Sequence, residues 1–169
     1  MREEDLQAVV QYLAAHGLKI VTAESCTAGM IASTLAEPPG SGKWLESAFI
    51  VYSEDAKIAC LNVDAELIRR CGLTSEAVAR AMALGALDAA GANLALATTG
   101  VAGPSAGDGA EPVGTVCLAW AFRGGDGART YSEKARFEGD RHAVREAATA
   151  HTLLRIPHYH RQAGRHSPF

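Results

Sequence analysis

Two rhythms of apolar and polar residues alternate along this chain. Leu6, Val9, Val10, Leu13 and Ala14 recur at helical spacing, predicting a helix over 3–16 that ends at His16-Gly17. Leu18–Thr22 is short and β-branched, as a buried strand would be. Small and apolar residues from Thr27 to Leu35 predict a helix able to lie close against a sheet, stopped by Pro38-Pro39-Gly40. Phe49–Tyr52 reads as the second strand. A helix through Ala56–Cys60 follows, with Ser53 as its N-cap, then a short one over Asp64–Arg70 that ends at Gly72. Ser75 caps a long helix from Glu76 to about Ala90, with Val78, Met82, Leu84 and Leu87 on its apolar positions. Leu94–Thr98, Val116–Phe122 and Thr130–Phe137 are the remaining strands, and Gly124-Gly125-Asp126-Gly127 joins the last two as an antiparallel hairpin. Asp140 caps a final helix that runs to about Arg155, before Pro157.

Strands separated by helices, with one terminal hairpin, make a three-layer α/β/α sandwich around a mixed, mostly parallel five-stranded sheet. The 169 residues fit a single domain over 1–160. Residues from His158 onward read as loosely ordered, with 161–169 as a flexible tail, and no internal repeat is visible.

Composition chiefly excludes. A net charge of −3 without a basic stripe argues against a nucleic-acid partner. The longest apolar runs are strand-sized, which argues against a membrane. Cys26, Cys60, Cys71 and Cys117 lack CxxC spacing and read as buried free thiols in a reducing cytoplasm. The six histidines form no ligand pattern, so neither a metal nor a cofactor is expected.

Candidate chemistry concentrates where strands hand over to loops, the usual ligand end of an α/β sheet. Thr22-Ala-Glu-Ser-Cys-Thr-Ala-Gly29 could expose the Ser25 hydroxyl beside helix N–H groups able to hold an oxyanion. On spacing alone the commoner role for Ser25 or Thr27 is that of a helix cap. Glu24 could orient a ligand or sit in a buried ion pair, and Cys26 could rival Ser25 but has no histidine in its segment to activate it. Tyr52-Ser-Glu-Asp-Ala-Lys57 contains one of only four lysines, against twelve arginines. A desolvated lysine can act as a base where arginine cannot, although a solvated Lys57 paired with Glu54 or Asp55 fits the spacing too. Thr99-Gly-Val-Ala-Gly-Pro104, with Ser105, Gly107 and Gly109 beyond, could bring main chain close to an anion or be a plain loop. Arg141 and Arg145 lie one helical turn apart and could clamp a phosphate or form a salt-bridged face with Glu138 and Glu146.

Taken jointly, Thr22–Thr27, Tyr52–Lys57, Thr99–Pro104, Pro112-Val-Gly-Thr115 and Gly139-Asp-Arg141 resemble the CinA C-terminal domain family over about residues 5–155. The family includes nicotinamide mononucleotide amidohydrolases. The resemblance implies deamidation of that nucleotide to nicotinic acid mononucleotide and ammonia. It places Ser25 as nucleophile, Lys57 as base and Tyr52 as the assisting hydroxyl. Glu24, Cys26, Thr27, Ser41, Thr99, Gly100, Ala102, Gly103, Arg141 and Arg145 would surround the substrate. The stand-alone form and a homo-oligomer, a dimer, are expected. Three positions depart from the family's habit: Ala28 where a glycine is usual, Gly42 where a second serine follows Ser41, and Glu111 where a lysine often stands. These departures keep open an alternative, a non-catalytic nucleotide- or partner-binding domain of the same fold.

Overall fold

The computed structural model describes residues 1–106 and 111–164. Helix α1 (Glu3–Ala15) leads into β1 (Ile20–Glu24), α2 (Met30–Ala36), a single 3₁₀ turn (Ser41–Lys43) and β2 (Leu45–Ile50). Helices α3 (Glu54–Leu61), α4 (Ala65–Cys71) and α5 (Glu76–Ala89) precede β3 (Leu94–Gly100). The hairpin β4 (Thr115–Gly124) and β5 (Gly127–Arg136) is followed by α6 (Arg141–Leu154) and α7 (Ile156–Gly164).

The sheet order is β2-β1-β3-β4-β5. β1 pairs in parallel with both β2 and β3, whereas β3–β4 and β4–β5 are antiparallel. The pairings are thus evenly divided, but only β4 runs against the other strands. Chain connections leave β1 toward β2 and return past it to β3. The strand order therefore reverses between β1 and β3, and a crevice opens beyond their carboxyl ends.

Alternation along the strands sends side chains to two cores. Ile20, Leu94, Leu96, Leu118 and Trp120 pack toward α1, α2, α6 and α7. Val21, Ala23, Ala95, Ala97, Ala119 and Ala121 meet the helices α3, α4 and α5 on the other face. Alanine on that face lets α5 approach closely. Gly85 belongs to the same economy of space, because a Cβ there would lie 2.0 Å from the Leu61 carbonyl oxygen. Trp120 is fully buried, worth roughly 2–3 kcal/mol of apolar transfer, and its indole N–H donates to Thr152 O at 2.9 Å.

The caps expected at Ser53, Ser75 and Asp140 all form, and Asp64, expected as the first residue of its helix, caps it instead; each accepts a main-chain N–H of the helix it opens. Boundaries differ more. The second strand is Leu45–Ile50 rather than Phe49–Tyr52, because an edge strand with alternate residues exposed hides its period behind Glu46 and Ser47. The second helix begins at Met30, not Thr27. The stretch from His158 is no loose tail: Pro157 opens α7 instead of closing the chain, since the first helical turn needs no N–H from it. Tyr159 anchors α7 by packing its ring at a tilt against Trp120, with 4.5 Å between ring centroids. Residues 165–169 of the expected tail lie outside the described residues. Only Cys26 and Cys117 are buried, while Cys60 and Cys71 are exposed. Among the described residues no helix is long and apolar enough to cross a membrane.

Candidate active site

Ser25 is the first residue after β1, at the point where the strand order reverses. Its N–H donates to Thr98 O at 3.0 Å, extending the β1–β3 pairing by one residue and fixing the start of the turn. Glu24 then does what was expected of Ser25 or Thr27. Fully buried, its carboxylate accepts the N–H groups of Gly29, Ile31 and Ala32 at 2.9–3.1 Å. It also accepts the Thr27 hydroxyl at 2.7 Å. The negative charge sits against the positive end of α2, where it is most stable. Both oxygens of Glu24 are engaged by the start of α2, so Glu24 and Thr27 brace the turn that presents Ser25. Ser25, freed from capping, turns its hydroxyl elsewhere.

That hydroxyl meets Lys57. Lys57 Nζ lies 3.0 Å from Ser25 Oγ, and donates to the carbonyls of Val51 at 2.9 Å and Tyr52 at 3.2 Å. The side chain is 1% exposed and faces no carboxylate among the described residues. Burial is the main influence, and it lowers the amine from its ordinary 10.5; Cys26 and Glu54 oppose it only in part. Lys57 also projects from the first turn of α3, whose positive end disfavours an ammonium. The solvated, salt-bridged Lys57 that spacing allowed is not what the fold builds. Cys26 is the opposite case. Burial pushes its thiol up to about 11, so it is protonated and inert at neutral pH.

Tyr52 enters through its main chain. Its carbonyl accepts from Lys57 and from Ser25 Oγ, the latter at 3.5 Å, whereas its phenol points outward and accepts from Arg141 at 2.6 Å. Arg141 also donates to Gly103 O at 2.7 Å, tying α6 to the turn after β3. Arg145 does not join it in a clamp. It donates to Thr27 O at 2.8 Å, bracing the nucleophile turn from the α6 side.

Ser25, Cys26, Tyr52, Lys57, Thr99, Gly100, Ala102 and Arg141 line one cleft of ≈ 510 Å³, large enough for a mononucleotide-sized ligand. Gly100 must be glycine: a Cβ there would lie 2.5 Å from Thr115 O, so the turn after β3 can hug the start of β4. Gly103 approaches from the rim through the bond to Arg141. Gly107 and Gly109 lie outside the described residues. Ser41 stands apart. It precedes β2, at the opposite end of that six-residue strand from the cleft, roughly 20 Å away along the sheet. Gly42 is at that far end too, so its lack of a hydroxyl leaves the cleft of this copy untouched.

Leu73 and Thr74 line the cleft without having been expected there. Thr99 holds that segment by donating to Leu73 O at 2.8 Å. The signal was present in the Ser75 cap. A helix that leads into a parallel strand runs antiparallel to it, so its N-terminus must lie at the carboxyl end of the sheet.

Known proteins share both fold and sequence with this chain. It is 45% identical over 135 residues to the nicotinamide-nucleotide amidohydrolase PncC of Pseudomonas putida, a match covering 80% of this chain and 82% of that protein. It is 45% identical over 163 residues to a competence-damage inducible protein of Symbiobacterium thermophilum, covering 93% of this chain but 38% of that much longer one. The crystal structure of competence damage-inducible protein A from Klebsiella pneumoniae superposes with a TM-score of 0.85 at 35% identity, covering 92% of this chain and 94% of that one. With residues 3–159 matching throughout, the chain belongs to the CinA C-terminal domain family.

Proposed function

We propose that this protein hydrolyses the carboxamide of nicotinamide mononucleotide through a Ser25–Lys57 pair. The observation that carries the reading is a buried lysine with no ion-pair partner among the described residues, 3.0 Å from a serine hydroxyl at the sheet's switch point. The name of the Pseudomonas relative supplies the substrate class. As a neutral amine, Lys57 keeps two hydrogens for Val51 O and Tyr52 O and directs its lone pair at the Ser25 hydroxyl.

Lys57 takes the Ser25 proton as Oγ attacks the carboxamide carbon, and the resulting ammonium gives that proton to the amide nitrogen, which leaves as ammonia when the C–N bond breaks. Water then hydrolyses the ester, releasing the nicotinic acid nucleotide and regenerating Ser25. The Tyr52 phenol faces Arg141, so the proton return falls to Lys57. Ser25 N–H is bonded to Thr98 O, so it is not the donor for the developing oxyanion. Arg141 at the rim is placed for the anionic phosphate.

The test is ammonia release from nicotinamide mononucleotide. The wild-type chain is expected to release it at least about 10³-fold faster than Ser25→Ala. Equal rates for the two would refute the reading.

A further inference from the structure

We propose that Glu111 is a specificity-determining residue of this cleft and selects an amide carried on a cationic ring. The inference rests on the amidohydrolase reading and narrows its substrate class. Glu111 lines the same cleft as Ser25 and Lys57. One of its oxygens accepts from Lys134 Nζ at 2.6 Å, and among the described residues the other oxygen has no partner.

Its position follows from the hairpin register. Lys134 lies across from Cys117, and Cys117 belongs to the core shared with α5, so Lys134 holds Glu111 on the α5 side of the sheet. Arg141 opens α6 on the opposite side. Its guanidinium donates to two neutral acceptors, the Tyr52 hydroxyl and Gly103 O, and makes no ion pair among the described residues. The cleft is therefore bipolar. The Glu111 carboxylate and the Arg141 guanidinium line it together with Ser25 and Lys57.

A pyridinium mononucleotide matches this division, with a positive ring at one end and a phosphate at the other. With the phosphate at Arg141 and the carboxamide at Ser25, the ring charge faces the free oxygen of Glu111. A ring of the same shape without the charge forgoes that attraction. Lys134 opposes the attraction while it holds the carboxylate in place, so the two residues act with opposite signs.

The experiment compares nicotinamide mononucleotide with its dihydro form, which keeps the carboxamide, ribose and phosphate but has an uncharged ring. Dissociation constants are measured in the Ser25→Ala background, where turnover does not interfere. Ser25→Ala is expected to prefer the charged ring. Adding Glu111→Gln should cut that preference about two- to fivefold, the scale of a partly exposed charge pair, and adding Lys134→Gln should increase it. A preference unmoved by either substitution, or an equal loss of both ligands, overturns the role of Glu111 while leaving the amidohydrolase reading intact. Failure of Ser25→Ala to bind either nucleotide overturns both.

Discussion

Lys57 and Glu133 are both charged side chains drawn into the protein, and the fold treats them in opposite ways. Glu133, on β5, is surrounded by donors: His151 at 2.5 Å, Arg155 at 2.6 Å and Tyr159 at 2.5 Å. Burial alone would push its carboxyl up, but the hydrogen bonds from Tyr159, His151 and Arg155 outweigh it and hold the group at about 2. Lys57 bonds to carbonyls and a serine hydroxyl and makes no ion pair among the described residues, and burial lowers it. A satisfied ion cluster fixes β5, α6 and α7 together. A buried lysine held by neutral acceptors stays poised to change protonation state, which marks a site for chemistry.

The comparison breaks most sharply at Lys57. Lys57→Met should fold, because methionine fills most of the same volume, yet lower ammonia release by about 10³-fold. Retention of more than a tenth of the wild-type rate would remove Lys57 from the reaction. The pH profile sharpens the point. Activity needs the neutral amine, so kcat/KM should rise with pH along a limb whose midpoint lies below the ordinary lysine value of 10.5. An acidic limb set only by carboxylates would contradict that.

At Glu133 the expected loss is one of stability. Glu133→Gln should cost about 1–2 kcal/mol in urea unfolding, while kcat per folded molecule stays unchanged. The sign follows from the depressed pKa. The contribution of Glu133 is fully present above about 4.5 and disappears as pH falls through about 2, so the difference from wild type should shrink in acid. A difference that stays constant down to that range would assign the effect to shape instead of charge.

The smallest expected effect lies beside the nucleophile. Ala28 adopts φ +50°, a left-handed conformation that costs a residue with a Cβ about 1 kcal/mol. Ala28→Gly should therefore stabilise the protein, by about 0.5 kcal/mol once the greater freedom of glycine in the unfolded chain is counted. Thermal unfolding would read this as a rise of a degree or two, and a fall would place the strain elsewhere.

Much of the architecture is written in local sequence. The alternation of strand and helix periods, the four capping residues and the glycine-rich hairpin turn are short-range signals, each decided within a few residues. They yield the layered α/β sandwich and its terminal hairpin. β2 and α7 escape this logic. The edge position of β2 leaves half its residues exposed, and α7 exists because Tyr159 finds Trp120 and Glu133, all distant in sequence.

The residue types for chemistry were legible in the same way. Ser25, Lys57, Arg141 and the turn at Thr99–Gly103 stand in segments that end at one edge of any such sheet, and the family pattern joins them. Only the tertiary structure decided their assignments. It gave the capping duty to Glu24 and left Ser25 free. It buried Lys57 against main-chain carbonyls and the Ser25 hydroxyl, turned the Tyr52 phenol toward Arg141, set Arg145 behind the turn and carried Ser41 to the far end of β2. The physical reason is that a side chain's character comes from sequence, whereas its protonation state, its partners and its access to a ligand depend on which distant groups the fold brings within about 3 Å.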